Sequence, residues 1–123
     1  MAFIADYVLD AALAKFDTEA NAIHICTQEP VTYTEAITTY TKGNKAGITI
    51  GAPTDASPNG RKVVVSAITD GSVTGNGTVT HYAIVDTVNL RLLATSSLTA
   101  PQVVTSGNTF TLSSFDIRIP DAV

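Results

Sequence analysis

Tryptophan is absent from this chain, cysteine occurs once, at position 26, and lysine and arginine together number seven in 123 residues. A single cysteine rules out an intramolecular disulfide and a cysteine-rich metal site. The basic residues never cluster, Arg61-Lys62 being the longest basic run, and the net charge is −4. A protein that grips phosphates needs a dense cationic surface, so nucleic acid is not expected as a direct partner. The four tyrosines are scattered and offer no stacking platform for bases. No run approaches the ~20 apolar residues of a membrane helix, and no membrane association is expected. Residues 1–16 carry Asp6 and Asp10 inside an apolar stretch and lack a basic start. They do not read as a signal peptide, and the chain is expected to be made in the cytoplasm.

Charge of either sign is also scarce. Charged residues make up 15% of the chain and hydrophobic ones 45%, against a usual charged share of roughly 25%. Such a chain folds, and its length suffices for one core without staples. Two readings of the low charge stand side by side. Part of the surface faces another protein, or the abundant Thr and Ser solvate the surface in place of charge.

Glycine and β-branched residues organise what is present. Residues 75–85, GNGTVTHYAIV, place an Asn76-Gly77 turn ahead of a run that alternates β-branched and aromatic residues with small or polar ones. That pattern predicts a strand over residues 78–86. Residues 3–16 form the one convincing helix, with Phe3, Ile4, Tyr7, Val8, Ala11, Ala12 and Lys15 at i, i+3, i+4, i+7 spacing. Leu9, Leu13 and Phe16 add a second apolar row, and Asp6 and Asp10 fall on the polar side. The helix packs on its own domain or, with two apolar rows, against a neighbouring subunit.

Residues 22–28, AIHICTQ, predict a central strand with Ile23 and Ile25 on one face and Ala22, His24 and Cys26 on the other. Residues 35–40 fit one helical turn with Thr34 as N-cap. A β-hairpin is the alternative, because Thr and Tyr favour strands. Residues 42–45 read as a turn, residues 48–51 as a short strand, and residues 52–60, with two prolines and Asn59-Gly60, as a loop. Further strands are expected at 61–69, 91–96, 102–104 and 109–119, with turn signals at Asp70-Gly71, 75–77, 87–90 and 106–108. Phe110, Leu112 and Phe115 are the expected inward residues of the last strand. Turns every ~8–15 residues mark an antiparallel β-sandwich or jelly roll rather than a βαβ fold. The expectation is a single, mainly β domain over residues 1–123, with one N-terminal α-helix at 3–16 and the sandwich over 22–119.

Residues with chemical potential are few. His24, Cys26 and His81 are the only candidates for a metal site, His24 and Cys26 sharing one strand face. Zinc needs three or four ligands at defined spacing, and two strand histidines held by hydrogen bonds is the simpler expectation. Cys26 in an apolar strand reads as a small hydrophobe rather than a nucleophile. Neither a phosphate loop nor a nucleophile elbow occurs, and the aspartates near turns lack the alternate spacing of a calcium loop. No catalytic, cofactor-binding or metal residue is assigned, and an enzyme is not expected.

The segments GTVTHYAIVD (77–86), LLATSS (92–97), APQVV (100–104), SGNTFTL (106–112) and IRIPDA (117–122) together resemble a family of small structural proteins of tailed bacteriophages. AIHICTQEPVTYT (22–34) is similar to the opening strand and loop of that family. The resemblance implies a virion protein, a capsid decoration or cement protein that binds the outside of the head shell. Its implied partners are the major capsid protein or other virion proteins, together with its own copies in a dimer or trimer. The alternative is a tail, neck or head-fibre module that contacts other virion proteins or host surface sugar. Sugar binding would need Tyr33, Tyr40 and Tyr82 to converge.

Overall fold

The computed structural model of the protein describes residues 4–57 and 59–120. Phe3, Pro58 and residues 121–122, on which expectations fell, lie outside the described residues. The chain is mainly β, with one N-terminal helix and a curled antiparallel sheet, consistent with a β-sandwich-like fold. Its contacts gather into two compact units, one of Met1–Glu19, Thr49–Ala67 and Ser113–Val123, the other of Ala20–Ile48 and Ile68–Leu112.

In the first unit, helix α1 (Asp6–Glu19) contacts β4 (Arg61–Val65) and β9 (Phe115–Ile119) of a three-stranded sheet ordered β3-β4-β9, β3 being Thr54–Asp55. The helix runs three residues beyond the expected end at residue 16, through Asp17-Thr18-Glu19, with Lys15 paired to Glu19 one turn on. Of the two expected apolar rows, the one with Leu9 and Leu13 faces the sheet. Leu9 and Leu13 are buried, whereas Tyr7 and Val8 stand exposed. Beside them Arg61 on β4 makes two bonds to Asp10 (Nε to Oδ1, 2.7 Å; Nη2 to Oδ2, 3.1 Å) and one to Asp55 at 2.6 Å. Asp6, Leu9, Asp10 and Leu13 share one helix face by their spacing. Leu9 and Leu13 of that mixed face go inward, Asp10 bonds Arg61 at its margin, and the row of Tyr7, Val8, Ala11 and Ala12 is left outside. The expected loop at 52–60 holds the two residues of β3, which pair with Arg61 and Lys62. The expected strand at 48–51 reduces to a single bridge between Ile50 and Val65.

The second unit is a six-stranded antiparallel sheet of order β7-β6-β1-β2-β5-β8. Its strands are β1 (Ala22–Cys26), β2 (Thr41–Ala46), β5 (Ile68–Val73), β6 (Gly77–Asp86), β7 (Arg91–Val104) and β8 (Thr109–Leu112). Strand β1 lies between β6 and β2 and is buried along its whole length, as its two apolar faces predict. β7 and β8 sit at opposite edges, yet only residues 105–108 join them. The sheet therefore curls until its two edges meet at that end, and bulges at Ile25/Cys26, Ile68/Gly71, Val79/His81 and Ile84/Val85 supply the bending.

Two glycines read from sequence as turns lie inside strands. Gly43 sits in β2, where a Cβ would lie 2.6 Å from the Ser72 carbonyl oxygen and 3.1 Å from the Ile25 side chain. Gly71 sits in β5 because a side chain there would run into the Phe110 ring. Close approach, not chain reversal, is what each supplies. The expected strand 61–69 divides at residues 66–67, β4 entering the three-stranded sheet and β5 the six-stranded one. The expected strand 109–119 divides likewise at 113–114. The two short strands expected at 91–96 and 102–104 are one strand, β7, with Pro101 inside it. Pro101 is tolerated because β7 is an edge and the proline lies in a bulge, residues 98–101 facing Thr80 alone.

Candidate functional site

One face of β1 and β6 carries every residue that the sequence marked for chemistry. Pairing sets Ala22 opposite Val85, His24 opposite Ala83 and Cys26 opposite His81. His24, Cys26 and His81 thus share a face, because directly paired residues of antiparallel strands point the same way. Ala22, Cys26, Ala83 and Val85 form an apolar floor, and Ala36, Tyr33, Ile37, Tyr40 and Leu92 pack on it.

The cover is a π-helical turn, Glu35–Thr39. Of the two readings of this stretch, the helical one holds, with a wider turn than expected. Thr34 does not cap it; its backbone is helical and its side chain makes no cap bond. Thr32 caps instead, its Oγ1 accepting the Glu35 N–H at 3.1 Å while Glu35 Oε1 accepts the Val31 N–H at 2.8 Å. The signal was in the sequence as Thr32-x-x-Glu35, the capping-box spacing. Tyr40 donates its hydroxyl to Glu35 Oε2 at 3.3 Å and so ties the turn's end to its start.

Each candidate ligand on this face already has a protein partner. Thr41 donates its hydroxyl to the Gly43 carbonyl, so its Oγ1 is the acceptor for His24 Nδ1–H at 2.9 Å. Cys26 donates its thiol to the Ala36 carbonyl at 3.7 Å, and burial pushes that thiol up to about 11. It is protonated at neutral pH and no nucleophile. Thr80 gives its hydroxyl to the Thr27 carbonyl and takes the Nδ1–H of His81 at 2.8 Å. The other ring nitrogen of His81 lies 3.9 Å from Glu29, which also accepts the Thr95 hydroxyl. Among the described residues, no group of three or more His, Cys, Asp or Glu could hold a metal ion. Tyr33 and Tyr40 pack on the same cluster, but Tyr82 pairs with Ile25 and projects from the opposite face, so the three tyrosines do not converge.

Burial lowers the pKa of His24 from its ordinary 6.5. The unfolded chain therefore binds a proton that the folded chain resists, and stability rises with pH across that interval. The His24 contribution is complete above pH 6.5 and drains as pH falls below it. Thermal melts between pH 7.5 and 5 should show a falling midpoint in the wild type and a flatter profile in His24→Gln. The carboxylate of Asp86, itself held below its ordinary 3.8 by Asn89, loses its contribution only in more acidic solution.

Asp86, one of the aspartates expected near turns, builds a second feature at the bend expected over residues 87–90. It is buried, and its Oδ1 accepts the N–H of Val88 and of Asn89 while Oδ2 accepts the Asn89 side-chain amide at 2.8 Å. This Asx-type turn at the β6–β7 tip leaves Val88 78% and Leu90 64% exposed, with Leu90 in the left-handed region at φ 57°. The available signal was the Asp86…Asn89 spacing ahead of a strand. A cleft of about 180 Å³ lies at the other end of the same sheet, between the ends of β7 and β8, lined by Val73, Gln102, Val104, Asn108 and Phe110 among others.

Comparison with protein-family models, with curated proteins and with solved structures returned no match.

Proposed function

We propose that this chain is a non-catalytic structural protein of a tailed-phage virion, a decoration or cement protein that binds the outside of the head shell and stabilises contacts between capsomers. The observation that carries the reading is the β6–β7 tip. Two apolar side chains stand in solvent on a turn that Asp86 holds rigid with three hydrogen bonds. A rigid, uncharged contact suits docking onto a preformed shell, because little conformational freedom is lost on binding. The sparse charge and the resemblance of residues 22–34 and of the segments between 77 and 122 to phage structural proteins agree with it. A tail, neck or head-fibre module is the second reading, for which Tyr33 and Tyr40 pack on one cluster and Tyr40 bonds Glu35.

Quantitative mass spectrometry of purified virions tests the proposal. One copy per major shell subunit, or a simple fraction of that, is the expected result. A handful of copies per particle would move the chain to tail, neck or fibre, and absence from the particle would overturn the proposal.

A further inference from the structure

The strands that end the described sheets are β3, β9, β7 and β8. β3 has two residues and β8 has four. β7 is longer, but its pairing with β6 shifts between Ile84 and Val85 and between Val79 and His81, leaving Leu93 and residues 98–101 bulged. Bulges twist an edge away from further pairing. β9 has no such interruption, and Phe115 to Ile119 oppose Val65 to Arg61 in unbroken order. On the other side of β4, Gly51 donates to the Val64 carbonyl and Ser66 to the Thr49 carbonyl. Successive residues of a strand point their backbone groups to opposite edges, so Val63 and Val65 bond β9 through Ile117 and Phe115. The backbone groups that β9 turns outward are therefore those of Asp116 and Arg118. Their side chains are drawn away from that edge. Asp116 Oδ2 accepts from Lys62 of β4 at 3.3 Å, and Arg118 donates to the Ser57 and Asn59 carbonyls of the loop before β4. A regular edge left open in this way templates pairing with another strand.

We infer that β9 pairs antiparallel with β9 of a second copy of the chain, about a two-fold axis at Ile117. A two-fold contact must be self-complementary, and the sequence Phe115-Asp116-Ile117-Arg118-Ile119 meets that demand. Asp116 lies opposite Arg118 of the second copy, and Arg118 opposite Asp116 of the second copy, so each charge meets its opposite. These are also the residues whose backbone groups face outward, and each exchanges both of its backbone bonds across the axis. On the other face Ile117 meets its own copy and Phe115 lies opposite Ile119, an aromatic–β-branched pair of the kind that stabilises sheets. All three are half-buried in the single chain. They share the face of Arg61, which bonds Asp10 of α1, so the helices of both copies lie on one side of a sheet continuous across the axis. Pro120 has no N–H to offer and closes the pairing. The inference stands on this edge and is independent of where the protein resides.

Sedimentation velocity from about 1 to about 100 µM tests it, with a concentration-dependent dimer expected. Asp116→Arg and Arg118→Asp each set like charges opposite one another on both sides of the axis, and each should weaken the dissociation constant roughly tenfold. Mixed in equal amounts, the two variants regain opposite charges at every position and should dimerise with each other about as tightly as the wild type. A purely intramolecular role for either residue would not produce that recovery. Hydrogen exchange of the wild type supplies a readout that needs no variant. The amides of Asp116 and Arg118 should be protected in concentrated and not in dilute protein, and that of Ile117, bonded to β4, in both. A monomer throughout the range, a trimer, a pair of variants that does not recover on mixing, or Asp116 and Arg118 amides indifferent to concentration overturns the inference. A dimer absent from virions would leave the inference standing and sink the decoration reading. A virion protein that is monomeric in solution would do the reverse.

Discussion

Ile84→Asp is expected to abolish cooperative folding of the six-stranded unit. Ile84 lies in β6, the strand flanked by β1 and β7, is fully buried, and is paired with Ile23 on one side and Ala94 on the other. A carboxylate placed there loses its water and finds no cation among those neighbours. An unpaired buried charge costs on the order of 4 kcal/mol, a large share of the ~5–15 kcal/mol by which a domain is stable. Val85→Asp should behave alike, since Val85 is equally buried, on the opposite face under the π-helical turn. Ile84→Val separates charge from cavity, because removing one methylene costs only about 1 kcal/mol. Circular dichroism melts of the three variants make the comparison. A soluble Ile84→Asp protein with a cooperative melt near that of the wild type would show that β6 does not occupy the centre of the unit.

The strand around Ile84 was legible because its signal is local. Asn76-Gly77 sets the turn, the residues after it are β-branched or aromatic, and both faces of β6 are apolar at Ala83, Ile84 and Val85. The same holds for β1, whose centrality follows from two apolar faces. Other features depend on partners distant in sequence, and there local reading fails. Of the two apolar rows of α1, that of Leu9 and Leu13 is the buried one, whereas the bond from Arg61 to Asp10, 51 residues apart, has no local signal. Pro101 signals the end of a strand unless the neighbouring strand is known to tolerate a bulge. For the candidate site, sequence placed His24 and Cys26 on one face correctly. The addition of His81 came from the β1–β6 register, and the protein partners that occupy all three came from Thr41, Ala36 and Thr80. The Thr32 cap and the Asp86 turn were readable from spacing alone.

Gly43→Ala should be nearly as damaging as a core substitution, although it adds one methyl group. Glycine in sequence has two structural meanings, freedom to reverse the chain and absence of a side chain, and Lys42-Gly43-Asn44 invites the first reading. The backbone at Gly43 is ordinary strand, paired with Ile25 on β1 and Val73 on β5. What forbids a side chain is the Ser72 carbonyl oxygen, 2.6 Å from where a Cβ would stand, with Ile25 side-chain atoms at 3.1 and 3.2 Å. The side chain of Ile25 can shift by a few tenths of an ångström. The carbonyl belongs to the adjacent strand and cannot move without pulling β5 away from β2. Overpacking of this kind costs about 3 kcal/mol, which in a chain of this size lowers the melting temperature by roughly 10 °C. Gly51→Ala is the matched control. Its Cβ would find only the Val64 carbonyl, at 3.9 Å, so the substitution should be neutral or stabilising by up to ~1 kcal/mol through the unfolded chain. Equal melting temperatures for the two variants would mean that Gly43 reverses the chain after all, and that the pairing of β2 with β5 is not the one described.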